Sequence, residues 1–134
     1  MRKVLAAGAA VLALASAVAC SPGPGSHERT VEITINHSRF DPSELSFPAG
    51  TMVRFVIRNT DPIDHEFILG NQEVQDRHES GTEAHHGSIP GEVSVPAGEI
   101  ATTTYRFGED GKLLFGCHLP GHWDYGMRGL VVVA

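Results

Sequence analysis

The sequence predicts an all-β fold, a Greek-key β-sandwich of about eight strands, and three observations carry that prediction. From Thr30 onward apolar residues recur with period two, glycine and proline stand between the alternating runs, and no convincing helical periodicity appears. Successive side chains on a strand point to opposite faces, so alternation of this kind builds one apolar and one polar face.

The elements follow in chain order. Val31, Ile33 and Ile35 alternate with polar neighbours, and Leu45 to Phe47 forms a shorter run. Val53, Phe55 and Ile57 mark the next strand, Glu66 to Leu69 another, then Val93 with Val95, and Tyr105 with Phe107. Leu113 to Phe115 and Leu130 to Val133 close the series. Pro-Ala-Gly occurs at two strand entrances, Pro48 to Gly50 and Pro96 to Gly98, where proline presets a turn and glycine tolerates positive φ. The segment Gly70 to Ser88 breaks the pattern, being long, polar and almost free of large apolar residues, and is expected to be a surface excursion. Its histidines, His78, His85 and His86, are expected to be solvated, with an accessory metal site as the lesser reading.

The N-terminus belongs to export. Arg2 and Lys3 precede the apolar run Val4 to Val18, and Ala17-Val18-Ala19 supplies small residues before Cys20, so residues 1–19 are expected to be a signal peptide of the lipoprotein type. The small-residue run ending in cysteine resembles a bacterial lipobox, which implies a lipid anchor on Cys20. Residues 20–29 are rich in proline, glycine and serine and are expected to act as a flexible tether, leaving residues 30–134 as one domain. Without Arg2 and Lys3 the chain carries 8 basic against 16 acidic residues, a net charge of −8 with histidines neutral. That balance argues against nucleic acid as a partner.

Of the two cysteines, Cys20 goes to the lipid or leaves with the signal, so Cys117 has no disulfide partner within the chain. It stands in CHLPGHWDYGM, Cys117 to Met127, where thiol, imidazole and thioether share eleven residues. Soft sulfur donors with imidazole favour copper, and a trigonal His₂Cys set with a weak axial Met describes a blue-copper electron-transfer site. That set needs a second histidine, and His65, at a strand start about fifty residues upstream, is the best candidate. Each residue also has a plain structural reading: Cys117 as a small buried hydrophobe, Met127 as core filler, His65 as a satisfied strand histidine.

The Cys-x₄-His-x₄-Met spacing resembles the ligand loop of the cupredoxins, and CxxPGHxxxGM is most similar to auracyanin-type small blue-copper proteins. The resemblance runs from about Thr30 to Ala134. It implies a cupredoxin-like sandwich holding one type 1 copper ion, with His65, Cys117, His122 and Met127 as ligands. It also implies one-electron transfer between redox proteins of the membrane or periplasm; with the anchor on Cys20, the protein is expected to be a monomer held to the periplasmic side or outer face of the cell membrane. Leu119, Pro120 and Trp123 beside His122 are expected to form a partner-docking patch, Trp123 being equally readable as a loop anchor. Glu66 stands where many members carry an asparagine after the first histidine, which leaves the surroundings of the sulfur open.

His118 is expected to point outward, because neighbours on an extended stretch face opposite sides. An enzyme is not expected. A Cys-His nucleophile would need a cleft and a group that depresses the thiol pKa, and a zinc site would have no use for Met127. A storage or delivery protein for copper is the alternative function, with the histidine-rich excursion as a loading surface.

Overall fold

The alternation becomes nine strands in this structure, a computed structural model that describes residues 28–81 and 89–134. The expected signal peptide, the anchor residue Cys20, most of the tether, and His85 with His86 lie outside the described residues. Eight strands coincide with the alternating runs: β1 (Glu28–Ile35), β3 (Glu44–Phe47), β4 (Met52–Asn59), β5 (His65–Gly70), β6 (Glu92–Val95), β7 (Ile100–Arg106), β8 (Gly111–Gly116) and β9 (Arg128–Val133). The ninth, β2 (Phe40–Asp41), is a two-residue bridge too short to show a period.

Two mixed sheets face each other, one ordered β2-β1-β4-β7 and the other β3-β9-β8-β5-β6. Their inner faces supply the core. In β4, Val53, Phe55 and Ile57 point inward and are fully buried, while Arg54 and Arg58 between them are exposed. Phe67 of β5 lies between the rings of Phe55 and Phe115, each centroid 5.2 Å away, with Phe40 edge-on at 5.9 Å. Aromatic packing of this geometry contributes beyond simple area burial. Both Pro-Ala-Gly segments are turns: Thr51 N–H donates to Pro48 at 3.2 Å and Glu99 N–H to Pro96 at 3.0 Å. Gly50 and Gly98 take φ of 78° and 74° at the position where such a turn requires it.

The excursion after β5 departs from expectation, because it begins with a helix, α1 (Gln72–Glu79). Asn71 caps it, its side chain accepting from Val74 N–H at 3.1 Å, and Glu73 opens the first turn while Arg77 and His78 close the last. The helix packs on the outer face of the second sheet, so β5 is buried along its whole length on both faces. Gln75 accomplishes the docking with a polar group: it is 1% exposed, and its amide donates to the carbonyls of Ile68 at 3.2 Å and Leu114 at 3.0 Å. His78 is therefore not a solvated side chain. Its ring meets the Val74 carbonyl at 2.8 Å and the Glu92 carboxylate at 3.2 Å, with 10% of the side chain exposed.

Replacing Gln75 by Leu removes a donor shared by three sheet carbonyls, those of Ile68, Gly70 and Leu114, and should cost about 1–3 kcal/mol of stability. Urea unfolding of the metal-free protein measures it. An unchanged midpoint would show that α1 adheres without that amide.

Candidate metal centre

Strand register brings the site residues to one end of the second sheet. His65 begins β5, while antiparallel β8 ends at Gly116, opposite Ile68 on one side and Arg128, the first residue of β9, on the other. The chain between β8 and β9 must therefore arch over that end. Cys117 N–H continues the ladder by donating to Met127 at 3.1 Å. Within the arch His122 N–H donates to Leu119 at 2.9 Å and Met127 N–H to His122 at 3.0 Å, and a single helical turn, α2 (His122–Tyr125), fills the middle.

His65 and Cys117 meet His122 at this end. The Nδ1 atoms of the two imidazoles lie 3.2 Å apart, Cys117 Sγ lies 3.2 Å from His122 Nδ1, and it lies 4.0 Å from His65 Nδ1. A point equidistant from the three atoms is about 2.0 Å from each, the length of a metal–imidazole bond and a little short of a metal–thiolate bond. Among the described residues this is the grouping of histidine, cysteine and carboxylate groups able to hold a metal ion. Met127 is also fully buried and belongs to the same apolar cluster as Cys117. Two imidazoles and one thiol, with Met127 buried in the same core, fit a single type 1 copper ion better than zinc or a hard cation.

Burial dominates the electrostatics of the site. Burial pushes the Cys117 thiol up to about 12, even though the backbone N–H groups of Leu119 and Glu66 hydrogen-bond its sulfur and favour the thiolate. Glu66 thus supplies from its main chain a hydrogen bond to the sulfur that its side chain does not. Burial, followed by the neighbouring His65, lowers the pKa of His122 and keeps its ring neutral, the state a metal ligand needs. Asp61, 7% exposed, is raised by burial, but the N–H groups of Ser38 and His37 and the His65 ring outweigh that and leave it below its ordinary 3.8.

The signs set a stability window for the metal-free protein. Cys117 has a folded pKa above its ordinary 9.0, so its contribution is full below pH 9 and is lost as pH rises toward 12. Asp61 has a lowered folded pKa, so its contribution is present above 3.8 and is lost as pH falls below it. His122, with its folded pKa lowered, resists a proton that the unfolded chain takes up below 6.5, so melting of the metal-free form should be highest between about pH 6.5 and 9 and fall on both sides. Copper loading should remove the alkaline fall, because a bound thiolate has no proton to lose. An alkaline fall of equal size with copper bound would contradict the placement of the metal on Cys117.

His118 is a correction. It does face away from Cys117 toward the outer side of the sheet, but α1 covers that side, and only 2% of its side chain is exposed. Its Nδ1 meets Glu79 at 2.7 Å, its Nε2 meets the Gln75 carbonyl oxygen at 2.8 Å, and its ring stacks on Trp123 at 4.7 Å and 18°. Its backbone N–H donates to the Glu66 carboxylate at 2.8 Å. The period-two argument gave the direction correctly and could not show the helix that waits there.

The three loop residues expected at a docking surface divide. Pro120 is exposed and Leu119 half-buried against the core, whereas the Trp123 ring is committed to packing on His118 and over Gly116. A Cβ on Gly116 would fall 2.3 Å from that ring, so the close approach depends on glycine there. Ile63, two residues before His65, and Tyr125 in α2 are 47% and 59% exposed, apolar surface that sequence reading had not singled out.

Relatives share both the chain and the fold. The family profile of the Cupredoxin-like domain matches residues 5–83. The copper-resistant cuproprotein CopI of Rubrivivax gelatinosus is 37% identical over 111 residues, covering 79% of this chain and 67% of its own. CopI of Pseudomonas aeruginosa is 28% identical over 137 residues, covering 78% of this chain and 76% of its own. The solved structure of auracyanin B superposes with a TM-score of 0.65 at 26% identity, covering 79% of this chain and 88% of that one. A sandwich that gathers two imidazoles and a thiol at one sheet end, with sequence kinship across more than half its length, places this chain in the cupredoxin-like family.

Proposed function

We propose that this protein is a one-electron carrier, exported and tethered to the outer face of the cell membrane through Cys20, with copper held by His65, Cys117, His122 and Met127. The observation that carries the reading is the triangle of two Nδ1 atoms and one Sγ at 3.2, 3.2 and 4.0 Å, at one end of the sandwich. Copper bound there supplies a Cu(II)/Cu(I) couple. The chain keeps the donors in one arrangement for both states: His65 is fixed on a strand buried on both faces, and backbone hydrogen bonds tie the loop to β9 and to itself. A rigid donor set spares the reorganisation that each oxidation state would otherwise demand.

His122 is half-buried and borders the exposed Pro120, which makes its ring the natural edge for electron exit. Docking there involves Leu119 and Pro120, and Trp123 serves by holding the loop rather than by meeting the partner. Redox proteins of the membrane or periplasm with a matching apolar surface are the expected partners, through a small and quickly released interface. Among the described residues no helix is long and apolar enough to cross a membrane. The mature protein is read as a monomeric carrier and not as an enzyme.

A second reading is favoured by the relatives, whose names describe copper-resistant cuproproteins. Under it the same donors store the ion or pass it on. Met127→Leu separates the two. In a carrier the thioether is a weak ligand that tunes the potential, so the variant should keep its copper through repeated reduction while the potential rises, Cu(II) losing more from the missing donor than Cu(I). Copper content assayed after each reduced cycle, beside the redox titration, is the measurement. Copper released on reduction would favour delivery and defeat the carrier.

A further inference from the structure

The second ring nitrogen of His65 faces an arrangement that the copper ligands alone do not explain. Its Nε2 lies 2.9 Å from Asp61 Oδ2, and the same carboxylate takes the backbone N–H of His37 on Oδ1 at 2.7 Å and that of Ser38 on Oδ2 at 2.8 Å. His37 and Ser38 are the central residues of the tight hairpin turn joining β1 to β2, closed by Arg39 N–H donating to Asn36 at 3.1 Å, and their φ of 50° and 52° are those such a turn requires. Asp61 itself is set by a further bond, its N–H donating to Asn59 Oδ1 at 3.0 Å, and Asn59 is in turn bound to the carbonyls of Ile63 and Val95 at 2.8 and 3.0 Å. A buried carboxylate is therefore built into place from three directions and aimed at one histidine.

We propose that Asp61 is a positioning residue for the copper site: it selects the His65 tautomer whose Nδ1 is free to ligate and raises the donor strength of that nitrogen. The inference rests on the ligand set above and deepens it. A carboxylate is only an acceptor, so a ring nitrogen at 2.9 Å must carry the proton. With the proton on Nε2, Nδ1 presents its lone pair, and Nδ1 is the atom 3.2 Å from His122 Nδ1 and 4.0 Å from Cys117 Sγ. Histidine ligands are commonly oriented in this way by a carboxylate on the far nitrogen, and losing that partner typically costs about 10–100-fold in metal affinity. The hairpin turn between β1 and β2 thus has a second use: its two central N–H groups hold the carboxylate in register with the ring.

The test replaces Asp61 by Asn, a near-isostere without the charge. In the metal-free wild type, ¹⁵N spectra of His65 should show the proton on Nε2; in Asp61→Asn both tautomers should appear. Cu(II) affinity should fall by about 10–100-fold, with Cu(I) affected less, so that the reduction potential rises. If Asp61→Asn alone does not fold, the same substitution is made with His37→Gly and Ser38→Gly, which removes the turn's steric cost while leaving His65 without its carboxylate. A wild-type His65 protonated on Nδ1, or a folded variant with unchanged tautomer and copper affinity, overturns the proposal. Wild-type protein that takes up no copper would instead defeat the ligand set, and the tautomer of the metal-free protein still decides the part played by Asp61.

Discussion

Cys117→Ser is expected to abolish the intense visible absorption of the copper-loaded protein. That colour arises from charge transfer out of the thiolate, and Cys117 is the thiol within 4.0 Å of both ring nitrogens of the cluster. Serine keeps the size of the side chain and offers an oxygen that neither ionises near neutrality nor matches the softness of sulfur. The fold should survive, because the substitution leaves the backbone bond to Met127 and the packing around it in place. Absorption spectra at matched copper content decide it. A variant of equal colour would remove Cys117 from the site.

Phe67→Ala should have the largest effect on stability, about 3–5 kcal/mol, out of a total that for a domain of this kind is about 5–15 kcal/mol. The ring is fully buried and touches Phe55 from one sheet and Phe115 from the other, so no single sheet can close over the gap. It also stands two residues after His65 on the same inward face of β5. Copper affinity should fall together with the denaturation midpoint. A loss below about 1 kcal/mol would mean that the core relaxes around the vacancy.

What the sequence made legible and what it hid have physical causes. Strands such as β1 and β4 showed themselves through period-two alternation, the direct record of burying one face, whereas β5, buried on both faces, showed itself as a short apolar run. The ligand loop was legible because thiol, imidazole and thioether on one short segment have few other uses together. Helix α1 was hidden because it adheres through hydrogen bonds: Gln75 reaches the sheet carbonyls where an apolar stripe would be expected, so no helical period appears. The burial of His118 was hidden for the same reason, since the groups that receive it, Gln75 and Glu79, sit on that unseen helix. Asp61 gave no signal at all beyond standing four residues before His65. Its importance lies in a turn more than twenty residues upstream, a contact that only the fold creates.

The central claim is that one copper ion, held by a closed donor set, passes one electron reversibly. A redox titration of the wild-type protein loaded with copper, followed by its visible absorption and by metal analysis before and after, tests it most directly. The account predicts one copper per chain, an intense band that bleaches along a single one-electron curve, full recovery on reoxidation and no loss of metal. A protein that binds copper without the thiolate band, or that sheds the ion when reduced, would contradict it.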